Sequence, residues 1–114
     1  MEATCREHED TTVVTVTGEV DLYTSPRMRE AILRSLSRRR PNVVVDLAGV
    51  TYMDSSGIAT LVEALHETRN RKGRLVLAGL GDRVREVFEL ARLHSVFELA
   101  ASVEEALAPK PEGA

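Results

Sequence analysis

The stretch from Asn42 to Leu65, NVVVDLAGVTYMDSSGIATLVEAL, constrains the fold more than any other part of this chain. Val43, Val44 and Val45 form a β-branched run after Pro41, the mark of a short buried strand. Ile58, Leu61, Val62 and Leu65 recur at the i, i+3, i+4, i+7 spacing of one helical face. Between them lies Met53-Asp54-Ser55-Ser56-Gly57, with two hydroxyls and a carboxylate where the helix begins. Strand, loop and hydroxyl-rich helix start bring polar groups to the edge of a sheet, a common position for binding and chemistry in α/β folds.

At 114 residues the chain holds one domain, long enough for a single continuous core and too short for two. Aromatic residues make up only 4% and Trp is absent, so the core has to be built from Val, Leu, Ile and Ala. A net charge of -3 argues against nucleic acid or an acidic membrane surface as the main partner. Arg38-Arg39-Arg40 is a local cluster at a solvated helix end, where the helix dipole favours cations. Cys5 is the only cysteine, so neither an internal disulfide nor a thiolate metal cluster can form. The N-terminus is not signal-like and no apolar run approaches the ~18 residues that span a bilayer, so the chain is expected to be cytoplasmic. His8, His66 and His94 lack the spacing of metal ligands.

In chain order, residues 3–9 alternate weakly and suit an edge strand, and Thr12–Thr17 is stronger strand material. His8-Glu9-Asp10 between them reads as a hairpin turn. Gly18 is expected to end the second strand, and Glu19 and Asp21 follow at alternate positions that share a face in extended chain. Ser25-Pro26 predicts a helix start capped by the serine, with Met28, Ile32 and Leu36 as its buried stripe up to about Ser37. After the central helix, Asn70-Arg71-Lys72-Gly73 offers a glycine for the C-terminal turn. Residues 74–78 predict a strand, and residues 79–82 a cap before a helix with Val84, Val87, Phe88 and Ala91 on its apolar side. A short strand is expected over 95–98, and the capping-box pattern Ser102-Val103-Glu104-Glu105 predicts a last helix through Leu107. The domain therefore spans residues 1–108, and 109–114, with two prolines and a glycine, are expected to be a flexible tail. Two strands followed by alternating helix and strand imply a mixed sheet with helices packed on it.

Three readings of the Asp-Ser-Ser-Gly turn follow from its residues. In the simplest, a serine caps the helix, Asp54 complements its positive end and Gly57 permits close packing. In a second, Ser55-Ser56-Gly57 resembles half of a nucleophile elbow, but Met53 replaces the first glycine and no His is placed as a base. In a third, Asp54 is a phosphoacceptor as in response-regulator receivers, with Glu19 and Asp21 imitating their acidic pair. That reading lacks the late lysine, since Lys72 lies in a turn and Lys110 in the tail.

Gly18-Glu19-Val20-Asp21, then a strand ending in Val45-Asp46-Leu47, then Met53-Asp54-Ser55-Ser56-Gly57, resembles the anti-sigma factor antagonist family, bacterial single-domain proteins of the STAS fold. The likeness runs from about Thr12 to about Phe97 and extends to the order and lengths of the elements. Val20 stands where the family often has Leu, and Ile58-Ala59 where Leu-Gly or Leu-Leu is usual; both touch packing more than chemistry. The resemblance implies an α/β STAS fold, a mixed central sheet of about four to five strands with about four helices packed against it. It implies binding to an anti-sigma factor that frees a sigma factor. That partner would be a serine kinase with a histidine-kinase-like ATP-binding fold, Ser55 its phosphoacceptor, and phosphorylation the end of binding. A PP2C-type phosphatase would reset the switch. The partner-binding surface would comprise Gly18, Glu19, Asp21, Met53, Asp54, Ser56 and Gly57. No catalytic residue, cofactor or metal is expected, and no direct contact with nucleic acid or membrane. STAS domains also serve as modules of transporters, scaffold subunits and partners in lipid-transport complexes; those often lose the Asp or the second hydroxyl, and this chain has both.

Overall fold

Five strands and four helices follow one another through the computed structural model, which describes residues 1–108. They are β1 (Glu2–His8), β2 (Thr11–Val20), α1 (Ser25–Ser35), β3 (Asn42–Met53), α2 (Ser55–Asn70), β4 (Leu75–Ala78), α3 (Asp82–Leu90), β5 (Glu98–Ala100) and α4 (Val103–Leu107). The strands form one mixed sheet in the order β1-β2-β3-β4-β5. β1 and β2 make an antiparallel hairpin, and every later pair is parallel. The tail expected over 109–114 lies outside the described residues.

Because sheet order repeats chain order, right-handed crossovers all fall on one face. α1, α2 and α3 therefore share that face, and the other is left to the short α4. The two cores reflect this. Val14, Val16, Val45, Leu47 and Leu77 pack with Met28, Ile32, Leu61 and Phe88. On the opposite face Val13, Val44, Val76 and Ala78 pack with Val103 and Ala106. Strand alternation sends Val44 one way and Val43 and Val45 the other, which is why β3 tolerates an unbroken apolar run. Phe88 and Phe97 meet edge to face at 5.5 Å and close the α3 end of the larger core.

Several local expectations are corrected. Gly18 does not end β2. It adopts φ +89° inside the strand, with Met1 packed so near that a Cβ would lie 3.1 Å from its Cα, and pairing continues to Val20. β3 likewise runs past Leu47 to Met53, so only Asp54 separates it from α2. It gains a residue on β2 at two irregularities, between Thr15 and Thr17 and between Gly18 and Glu19, and these broke its sequence alternation. At the end of α2 the left-handed residue is Lys72 (φ 58°), whereas Gly73 is needed because a Cβ there would meet the Pro41 carbonyl oxygen at 1.9 Å. The bonds from Lys72 N–H to the Arg69 carbonyl and from Gly73 N–H to the Thr68 carbonyl form a Schellman motif around Lys72. Ala91 is exposed beyond the end of α3, and the last strand starts at Glu98 because 94–97 turn before it.

Candidate functional site

The site forms where β2 and β3 end side by side. Val20 is in register with Met53, and the Asp54 N–H donates to the Val20 carbonyl at 3.1 Å. That bond holds Asp54 extended (φ -104°, ψ -171°) as the N-cap of α2. Its Oδ1 accepts the Ser56 amide at 2.9 Å and the Ser56 hydroxyl at 2.5 Å. Its carbonyl accepts the amides of Gly57 and Ile58 at 3.1 and 3.2 Å, so the first turn is tied to one residue. The Ser56 hydroxyl is the main cause that holds the Asp54 carboxyl below the ordinary carboxylate range; partial burial opposes it, and backbone amides of Ser56, Gly57 and Leu22 assist. Ser55 is exposed, and its hydroxyl has no hydrogen-bond partner among the described residues.

A second turn borders the first. The Asp21 Oδ1 accepts the amides of Tyr23 and Thr24 at 2.9 and 3.0 Å, and the Asp21 amide donates to the Thr24 hydroxyl at 2.9 Å. The Asp21 carbonyl accepts the Ser25 amide at 2.8 Å, which makes Asp21 and Thr24, and not Ser25, the residues that start α1. Ser25 is buried within the first turn. β2 stops at Val20, so Asp21 stands in the turn and not in the extended strand with Glu19.

The expected site residues fall into two groups. Glu19 and Ser55 are exposed, and Asp21, Asp54 and Ser56 are half-buried around them. Met53 and Gly57 are buried beneath. A Cβ on Gly57 would lie 2.7 Å from the Met53 Cγ and 2.8 Å from the Val20 Cγ1, so this glycine lets the helix start sit on the sheet. Gly18 is half-buried under Met1. Met53, Gly57 and Gly18 thus shape the surface from below. Elsewhere, the Cys5 thiol donates to the Ala31 carbonyl at 3.8 Å, and burial pushes its pKa up, away from reactive thiolate character. Among the described residues no group of three His, Cys, Asp or Glu side chains gathers where a metal ion could be held. No helix among them is long and apolar enough to cross a membrane.

The family model of the STAS domain matches residues 2–106. The chain belongs to the STAS domain family. It is 38% identical over 84 residues to the anti-sigma-B factor antagonist of Listeria monocytogenes, covering 74% of each protein. It is 27% identical over 99 residues to the anti-sigma-B factor antagonist of Bacillus subtilis, covering 87% of this chain and 90% of that one. The crystal structure of an anti-sigma factor antagonist from Mycobacterium paratuberculosis superposes with a TM-score of 0.83 at 26% identity, over 93% of this chain and 90% of that chain.

In this STAS domain, two exposed residues of the site escaped the sequence reading. Leu22 and Tyr23 stand on the turn beside Asp54 and are largely in water. Their signal was present, since two large apolar residues inside a turn bounded by Asp21 and Pro26 have no helical or strand periodicity to satisfy.

Proposed function

We propose that this STAS domain is an anti-sigma factor antagonist: it binds an anti-sigma factor that is also a serine kinase, and phosphorylation of Ser55 ends the binding. One observation carries the choice of residue. Asp54 takes both the amide and the hydroxyl of Ser56, and leaves the neighbouring Ser55 hydroxyl free in water. A kinase needs a hydroxyl that can leave the surface without breaking the fold, and Ser55 meets that need where Ser56 does not. The names borne by the Listeria and Bacillus relatives support the antagonist role.

The chemistry belongs to the partner. The kinase supplies the ATP site, this chain the acceptor oxygen, and a PP2C-type phosphatase the reversal. Phosphate adds roughly -1.5 to -2 charges at pH 7 beside the Asp54 carboxylate, so a surface fitted to a neutral hydroxyl rejects it. The helix N-terminus meanwhile favours an anion by about 0.3–1 kcal/mol, which keeps the fold in place.

The test is to incubate the purified chain with ATP, Mg²⁺ and each anti-sigma factor kinase of the source genome, then map phosphate by mass spectrometry. Phosphate on Ser55 is expected. Phosphate on Ser56, or outside this turn, would refute the assignment. The chain alone should hydrolyse neither ATP nor activated esters, and turnover lost in Ser55→Ala would return it to the enzymes.

A further inference from the structure

Leu22 and Tyr23 are consecutive, large and apolar, and they are 69% and 87% exposed. Nothing in the local fold asks for them. The turn is fixed by Asp21 and Thr24, and position 23 contributes only its amide, which donates to the Asp21 Oδ1. Serine or asparagine would fill both places equally well and leave less apolar surface in water. A single exposed apolar residue requires no explanation, but these two are adjacent, on a hydrogen-bonded turn and beside the helix start that carries the proposed acceptor.

Their distance from Ser55 is bounded by one bond. The Asp54 N–H reaches the Val20 carbonyl at 3.1 Å, Leu22 lies two residues beyond Val20 and Ser55 one beyond Asp54. With Cα atoms ~3.8 Å apart along the chain and a carbonyl and an amide to cross at that bond, Leu22 and Ser55 are separated by no more than roughly 18 Å. An interface of ordinary size covers about 800 Å² of each partner, a patch roughly 32 Å across that spans both residues. A kinase that takes the Ser55 hydroxyl into its active site therefore covers this turn as well. Serine offers little area of its own, so the grip has to come from its surroundings.

We infer that Leu22 and Tyr23 are the apolar anchors by which this chain docks on its anti-sigma kinase, in a cleft edged by a cation that faces Glu19 and Asp54. The inference rests on the antagonist role and adds the recognition element to it. Tyrosines seated in apolar clefts at the centre of an interface are among the side chains whose truncation costs most. The exposed Glu19 and the half-buried Asp54 on the same side of the chain as the pair's turn call for a cation at the rim, where it guides approach.

The experiment uses the kinase that phosphorylates the unsubstituted chain. Steady-state phosphorylation is measured for Leu22→Ser, Tyr23→Ser and, as a control, Leu90→Ser, which alters another exposed leucine at the end of α3 away from the site. Leu22→Ser and Tyr23→Ser should each raise KM about tenfold or more with kcat unchanged, because anchors act equally in ground and transition states. Their melting temperatures should match the unsubstituted chain, and Leu90→Ser should behave like it throughout. An unchanged KM in both turn variants would overturn the inference while leaving the antagonist role intact. An equal loss in Leu90→Ser would also overturn it, by showing general stickiness in place of a defined dock. If no kinase phosphorylates even the unsubstituted chain, the antagonist role fails and the docking role with it.

Discussion

The starts of α1 and α2 are built from the same parts and end up chemically different. Each follows the end of a neighbouring strand, and each has an aspartate whose Oδ1 accepts amides of the turn. At α1 every serine and threonine hydroxyl is engaged or covered. The Thr24 hydroxyl has the Glu19 carbonyl at 2.9 Å and the Asp21 Oδ1 at 3.1 Å as acceptors, Ser25 is buried, and Pro26 has no N–H. At α2 one hydroxyl is engaged by Asp54 and the next, on Ser55, is left open. A capping motif becomes a modifiable site through one spare hydroxyl, held in place by a neighbour that has already satisfied the helix.

Substitutions at the two starts should separate these roles. The largest effect is expected at Ser55, where Ser55→Ala should abolish phosphorylation while Ser25→Ala leaves it at Ser55. Incorporation of labelled phosphate checks both. A phosphorylated Ser55→Ala protein would erase the distinction between the two helix starts. Next in size are losses of stability. Gly57→Ala should cost about 1–3 kcal/mol in urea denaturation, because its Cβ must push Met53 and Val20. Asp21→Ala should cost about 1–2 kcal/mol, because its carboxylate holds two turn amides together with the Thr24 hydroxyl. An unchanged denaturation midpoint in Asp21→Ala would show that this carboxylate does not hold the start of α1.

Asp54→Asn probes the engaged hydroxyl itself. A neutral amide accepts the Ser56 hydroxyl less strongly, so phosphate should divide between Ser55 and Ser56 in site mapping. The smallest effect concerns pH. The Asp54 carboxyl titrates below its ordinary value of 3.8 in the folded chain, chiefly because Ser56 donates to it. The unfolded chain therefore holds that proton more tightly, so this contribution to stability is complete above about pH 4 and is lost as pH falls through the folded value. Denaturation curves across that window should be flatter for Asp54→Asn than for the unsubstituted chain.

Much of this was legible in sequence because it depends on local chemistry. The valine block of β3, the helical spacing after Gly57 and the Ser102 cap, whose hydroxyl accepts the Glu105 amide at 3.1 Å, each specify their element without help from the rest of the fold. Features that depend on two strands meeting were hidden. Gly18 reads as a stop until the bulge and the overlying Met1 are in place, and residues 48–53 read as a loop until β2 supplies their partners. Gly73 reads as a left-handed cap, but its true constraint is the Pro41 carbonyl, 32 residues away in sequence. The difference between Ser55 and Ser56 was hidden too, because which serine Asp54 binds is a matter of side-chain geometry and not of composition.

The central claim is that phosphate at Ser55 breaks an interface by local charge and bulk while the fold stays intact. The direct measurement is a titration of phosphorylated and unmodified chain against the kinase at two salt concentrations, beside melting curves of both forms. One partner carboxylate ~5 Å from one phosphate charge costs about 3 kcal/mol at an effective dielectric near 20. That predicts roughly a hundredfold loss of affinity, part of it recovered at high salt, with melting temperature unchanged or slightly raised. Equal affinity of the two forms, or a phosphorylated chain that melts many degrees lower, would contradict it.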